Sequence, residues 1–360
     1  MITQAKDLLP DTPWQETIWS QASEESLVDH TSRPRLCVAT LLPFRNGEPD
    51  WEGFENSIRW MLRAGEHYGV ELVFVLNADT GYIFQLDETL YAEVIRRFRA
   101  AFPEPTIICG TTAVGATGDT FRADWYRPHL EIAQQFDHVE VMLMTSQLLN
   151  ELPTEKRRDA YFDILEHVEV PAIVHALEPA FVPWATPFSP WLLHELAQHE
   201  KVVGGKISTL DEPHFLYWAA MCRDLGLNFS PHSGDDYGIA TAIKLGLPLL
   251  IGAGVSACPL ICAAKQMWTA SPLDTSVYKL FEAIQSLEDA VFRLDGNESA
   301  AAYKHSTAHV LKLLGLIESA EIHPACSDRR GADEAQRMQE ALRRPLRVAG
   351  RLDIPHFSLA

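Results

Sequence analysis

Eight short apolar runs, rich in β-branched residues and separated by helix-patterned segments, constrain the fold of this chain more than any other feature. They are Leu36–Leu42, Glu71–Asn77, Thr106–Gly110, His138–Thr145, Pro171–Ala176, Val202–Lys206, Leu227–His232 and Pro248–Ala253. Each is continuously apolar rather than alternating, the pattern of parallel strands covered on both faces. Between them, Trp51, Phe54, Ile58 and Met61 share one helical face before Gly65, as do Leu90, Val94, Ile95 and Phe98. Ser189 followed by Pro190 marks a helix start. Alternating β and α segments of this number and length predict an α/β protein, a (β/α)8 TIM barrel. The competing open doubly wound sheet requires a glycine-rich turn after its first strand, where LLPFRNG stands instead. After Trp268 only helical patterns follow, over Thr275–Leu294, Ser299–Leu314 and Gly331–Leu342. The expected organisation is an N-terminal arm at 1–32, a catalytic barrel at 33–268 and a C-terminal helical region at 269–360.

Composition narrows the partners. With 30 basic and 49 acidic residues the formal charge is −19, which repels nucleic-acid phosphates and anionic lipid surfaces. The basic cluster from Arg329 to Arg351 is interrupted by Asp333, Glu334 and Glu340 and has the composition of a solvated helix face. No nucleic-acid partner is expected. Leu245–Ala264 is 20 residues without a charge, long enough to span a bilayer, but Gly246, Pro248, Gly252, Gly254 and Pro259 fit a buried strand, a loop and a helix instead. No membrane partner is expected either. The N-terminus lacks a basic region followed by an apolar core, and the six cysteines lack CxxC spacing, so a reduced, cytoplasmic setting is expected.

In a barrel, reacting groups come from the C-terminal ends of strands and the loops beyond them. Those positions hold Asn77, Asp79 and Thr80; Thr111 and Thr112; Ser146 and Gln147; His175 and Glu178; Lys206 and Ser208; His232, Asp235 and Asp236; and the glycines after the eighth run. Of nine lysines, Lys206 alone ends a predicted strand. An amine closing the run VVGG must be paired or have a lowered pKa, and a lowered pKa is a property of nucleophilic lysines. An internal salt bridge to Asp79 or Asp235 is the alternative. The two preceding glycines are expected to leave room for a substrate.

Metal chemistry finds less support. His305 and His309 are four apart on a helix but lack the adjacent glutamate of a zinc site, and an exposed helix face accounts for them. His175, His232 and Asp235 could meet at the barrel mouth. No GxSxG elbow or Walker loop is present.

These residues together resemble the dihydrodipicolinate synthase and N-acetylneuraminate lyase family of Schiff-base barrels. LLPFRNGEPDWEGFENSIRWMLRAG, from Leu41 to Gly65, is similar to the family's first strand end, acidic turn and first helix. KVVGGKISTLD is similar to its GxK strand, which implies a Schiff base on Lys206. The SGDD segment, Ser233–Asp236, and the run to Ala253 follow at the family's spacing, and helices after the barrel are a family trait.

Departures are equally specific. The family's GTTGE loop reads ADTGY here, keeping Thr80 and Gly81 but placing Asp79 where a threonine hydroxyl is expected. The strand-five tyrosine is replaced by His175, and the PYY after strand four by TSQLL. The resemblance thus implies a barrel and imine chemistry rather than authentic dihydrodipicolinate synthesis. The expected activity is a class I lyase or aldolase acting on a small carbonyl substrate, with no metal or organic cofactor. Lys206 would be the nucleophile and His175, with an imidazole pKa near neutrality, the proton carrier. Asp79, Thr80, Gly81 and Gln147 would contact substrate, and Ile251 would line the floor. A homo-oligomer, dimer or tetramer, is expected. A relative that has lost catalysis and serves as a metabolite sensor or assembly subunit is the rival reading.

Overall fold

The computed structural model describes residues 35–115, 120–179, 181, 184–224, 229–252, 254–294, 302–355 and 357–359. The expected arm at 1–32 lies outside them, as do Leu227, Ala253 and Ser299, at which expected elements were to begin or end.

Eight parallel strands close into a barrel: β1 (Leu36–Ala39), β4 (Leu72–Leu76), β5 (Ile107–Thr111), β6 (Val139–Leu143), β7 (Ala172–Leu177), β8 (Val202–Ser208), β9 (Ser230–Ser233) and β10 (Leu249–Ile251). Each pairs with the next in sequence, and β10 closes the ring on β1 through Leu36↔Leu249 and Val38↔Ile251. All eight predicted runs are present with their ends shifted: β5, β7 and β9 each run one residue past the predicted end, and β8 runs two residues past it, to Ser208. Leu72 to Leu76 and Ile107 to Thr111 are buried along their whole length, because helices cover the outside while side chains fill the inside. That two-sided burial is why the runs read as unbroken apolar sequence.

Helix starts follow local chemistry. Asp50 accepts from the Gly53 N–H at 3.1 Å to cap Trp51–Tyr68, and Ser189 caps Pro190–Ala197 by accepting from Leu192. Trp51–Tyr68 continues through Gly65 and ends at Gly69, whose φ of 61° suits a left-handed C-cap. A small hairpin, β2 (Phe44–Arg45) and β3 (Glu48–Pro49), lies beyond β1. Its turn residues Asn46 and Gly47 both have positive φ, the Asn-Gly signal of a tight hairpin turn. That signal was present in the sequence and assigned to no element.

Beyond β10, helix Gly254–Ala270 covers the outer wall and is followed by Thr275–Val291, Tyr303–Leu313 and Glu334–Arg351. The last was expected to stop at Leu342 but runs on through Pro345, which is buried. His305 and His309 are half-buried rather than exposed, their rings 4.8 Å apart, with His305 Nδ1 accepting from the Arg330 N–H. Among the described residues, no helix is long and apolar enough to cross a membrane, and no group of three or more His, Cys, Asp or Glu could hold a metal ion. The six cysteines are buried and unbridged.

Candidate active site

Strand register builds the centre of the site. His175 on β7 is paired with Lys206 on β8, and Lys206 with His232 on β9. Residues in register on adjacent parallel strands project on the same side and sit about 4.8 Å apart, so three titratable side chains form one row. All three are buried. His232 Nδ1 donates to the Ser230 carbonyl at 3.1 Å, leaving Nε2 unprotonated and without a protein partner. His175 Nε2 is 2.8 Å from Ser208 Oγ, and its Nδ1 is buried and unpartnered.

Burial dominates the electrostatics of this row. It lowers the Lys206 amine from its ordinary value, against the opposing effects of Asp236 and then Asp79. Burial, and secondarily the Lys206 charge, pushes His175 well below the normal imidazole range. His232 is brought down to about 4, again mainly by burial. The near-neutral imidazole pKa expected for His175 is therefore not what the barrel provides: His175 is a neutral base whose conjugate acid is strong.

The glycines before Lys206 serve a different purpose from the one expected. A Cβ on Gly204 would stand 2.6 Å from the Ser230 carbonyl oxygen and 3.2 Å from the His232 ring, while one on Gly205 would meet Phe229 at 2.7 Å and Trp218 at 3.1 Å. Protein atoms, not a ligand, occupy that room. Gly234 matters more for the amine. A Cβ there would lie 2.4 Å from the Ile207 carbonyl oxygen and 2.5 Å from Lys206 Cε, so a glycine lets this loop pass close to β8 and to the lysine chain.

Asp79, Thr80 and Gly81 lie on a turn beyond β4. It is pinned by Gly81 N–H to Ala78 O and Tyr82 N–H to Asp79 O, both at 3.0 Å. Gly81 is buried and its N–H is spent inside the turn rather than on a substrate. Asp79 and Thr80 meet two residues that the sequence did not single out for the site. Tyr303 Oη donates to Asp79 Oδ2 at 3.1 Å and lies 2.7 Å from Thr80 Oγ1, and Lys304 Nζ is 2.8 Å from Asp79 Oδ1. Tyr303 stacks on Phe292 at 4.5 Å, and its edge would touch a Cβ placed on Gly252, just past β10. Lys304 is 3% exposed. The signal was faint but present: Lys304, Ala308 and Leu311 follow helical spacing, and the last two are apolar.

The remaining candidates are less well placed. Gln147 is exposed, with its amide on Glu151 at 2.7 Å; its four-residue helix turns it outward. Ile251 is fully buried, with Cγ1 2.7 Å from where a Cβ on Gly254 would stand, and so packs against the start of helix Gly254–Ala270. The expected alternative partner of Lys206, Asp235, caps the next turn, accepting from the Tyr237 N–H at 2.9 Å. Burial raises its carboxyl to about 6. At the same end of the barrel, Glu178 accepts from Thr209 Oγ1 at 2.8 Å and pairs with His214.

No family model matches the chain. Two curated proteins do, both 4-hydroxy-tetrahydrodipicolinate synthases. That of Thermodesulfovibrio yellowstonii is 24% identical over 308 residues, covering 78% of this chain and 98% of the relative. That of Ruegeria pomeroyi is 25% identical over 260 residues, covering 71% and 81%. Among solved structures, a monomeric dihydrodipicolinate synthase variant superposes with a TM-score of 0.70 at 16% identity, over 89% of this chain and 97% of its own. The chloride-inhibited Acinetobacter baumannii dihydrodipicolinate synthase, in complex with pyruvate, gives 0.68 at 20% identity, over 87% and 99%. The sequence likeness runs over most of the chain, at 24% and 25% identity, with the same barrel beneath it, and this supports a divergent relationship to the dihydrodipicolinate synthase and N-acetylneuraminate lyase family.

Proposed function

We propose that this protein is a class I lyase or aldolase that works through an imine on Lys206. The carrying observation is a buried amine two residues before the C-terminal end of β8, lowered by burial and set in register between two neutral histidines. The Lys206 Nζ lone pair attacks the carbonyl carbon of a small oxo substrate, and the carbonyl oxygen leaves as water. The resulting iminium draws in the electron pair of a neighbouring C–C or C–H bond to form an enamine. His175 takes the proton released and returns it in the reverse direction. No bound metal or organic cofactor is part of this scheme.

Asp79 and His175 stand where the family carries a threonine and a tyrosine, and this supports a substrate pair other than pyruvate with aspartate semialdehyde. The test is incubation with a panel of oxo acids and aldehydes, borohydride reduction and mass spectrometry. A single adduct on Lys206, lost in Lys206→Ala, is the expected result. Adducts only on other lysines would overturn the imine mechanism. Condensation of pyruvate with aspartate semialdehyde at roughly 1 per second or faster would overturn the assignment to another substrate pair.

A further inference from the structure

The hydroxyl of Thr80 has one proton to give, and the hydrogen bonds around it decide where that proton goes. Asp79, ion-paired to Lys304, is a carboxylate and only accepts. The single phenolic proton of Tyr303 goes to Asp79 Oδ2, at 3.1 Å. Tyr303 Oη therefore cannot also donate to Thr80, and the 2.7 Å contact between the two hydroxyls is made by the Thr80 proton. All members of this chain but Asp79 are almost fully buried: Thr80 is 2% exposed, Tyr303 and Lys304 3% each. Stacking on Phe292 holds the Tyr303 ring in place. What Thr80 has left is acceptor lone pairs.

Resting on the lysine-imine reading above, we infer that Thr80 is a specificity residue that accepts a hydrogen bond from a substrate hydroxyl, and that Tyr303 enforces this by taking the Thr80 proton. The substrate is then a hydroxylated carbonyl compound, with its hydroxyl against Thr80 Oγ1. A carboxylate at that point would set lone pair against lone pair. Tyr303 acts through Thr80 and is a positioning residue. Lys304 supports the arrangement by holding the other carboxylate oxygen, Asp79 Oδ1, at 2.8 Å.

The experiment compares hydroxypyruvate with pyruvate, which share the reacting carbonyl and differ by one hydroxyl. The readout is the concentration giving half-maximal borohydride-trapped adduct on Lys206, measured in wild type, Thr80→Ser, Thr80→Val and Tyr303→Phe. The ratio of the two values within each protein is compared across proteins, so the intrinsic reactivity of each probe cancels. A preference for hydroxypyruvate about tenfold greater in wild type and Thr80→Ser than in Thr80→Val and Tyr303→Phe is expected, the value of one neutral hydrogen bond. In Tyr303→Phe the freed Thr80 proton should in addition improve pyruvate capture, which a general loss of structure would not do. Adduct on Lys206 with the same ratio in all four proteins would overturn this inference and leave the imine reading standing. Absence of any Lys206 adduct across the full panel of oxo acids and aldehydes would overturn both.

Discussion

Lys304 Nζ lies 2.8 Å from Asp79 Oδ1, joining the helix Tyr303–Leu313 to the turn after β4 across 225 positions of sequence. The two partners are unequally buried, with side-chain exposures of 4% for Lys304 and 32% for Asp79. Solvent can rehydrate the carboxylate if its partner is removed. It cannot easily reach the ammonium.

The pair therefore predicts an ordering of variants. Asp79→Asn leaves a charge buried without its counter-ion and should cost about 3 kcal/mol or more. Lys304→Met leaves a partly solvated carboxylate and should cost about 1 kcal/mol. Urea denaturation of the two variants measures both. Lys304→Met proving the more damaging would mean that the stem packing of Lys304 outweighs its charge.

The pH dependence of imine formation follows from the groups around Lys206. Burial lowers its pKa, while Asp236 and then Asp79 raise it, so the free amine should appear at a pH below that of an ordinary lysine. Asp236→Asn removes the larger of the two opposing charges and should move the midpoint lower still. The rate of adduct trapping as a function of pH reads this directly. An upward displacement in Asp236→Asn would mean that Asp236 does not act on Lys206 through its charge.

The barrel was legible because each strand is buried on both faces and leaves a run of apolar residues between helix patterns. Lys206 was legible for the same reason: a charge closing such a run stands out locally. Tyr303 and Lys304 carry no comparable mark, since YKHSTAH is an ordinary helical segment and its meeting with Asp79 is created by the fold. The glycines at 204 and 205 were read as open space because a sequence shows a missing Cβ but not the Ser230 carbonyl or the Phe229 and Trp218 rings that fill its place. The imidazole pKa of His175 failed to transfer for a related reason. Its value depends on burial and on Lys206, neither of which is a property of the residue itself.

His175 offers a separable test of proton transfer. Its Nε2 is held by Ser208 at 2.8 Å, which fixes the ring, and it adjoins Lys206 in register. His175→Phe keeps a ring of similar size, so adduct formation on Lys206 should persist. Exchange of substrate α-carbon protons with deuterated water should fall by about 100-fold, the usual contribution of a positioned acid or base. Unchanged exchange would make His175 structural and leave the proton to another group.

Glu288 provides a stability test away from the reacting atoms. It is fully buried on helix Thr275–Val291, and neither carboxyl oxygen has a hydrogen-bond partner. Burial, with smaller effects from Asp236 and Asp289, raises its pKa well above the ordinary glutamate value. A carboxyl whose pKa is raised on folding gives its full contribution below the unfolded pKa of about 4.3, and loses it as pH rises toward the folded pKa. Each pH unit in that interval costs on the order of 1 kcal/mol, because the unfolded chain releases a proton that the folded one retains. Glu288→Gln replaces the neutral acid by a neutral amide of the same shape and abolishes the linkage. Asp235, raised to about 6, titrates in both proteins and cancels in their difference. Melting temperatures at pH 5 and pH 8 should therefore fall more in wild type than in Glu288→Gln, by a few degrees. An equal fall in both would mean that Glu288 ionises in the folded protein at its ordinary pH, and that a counter-charge reaches it inside the helical region.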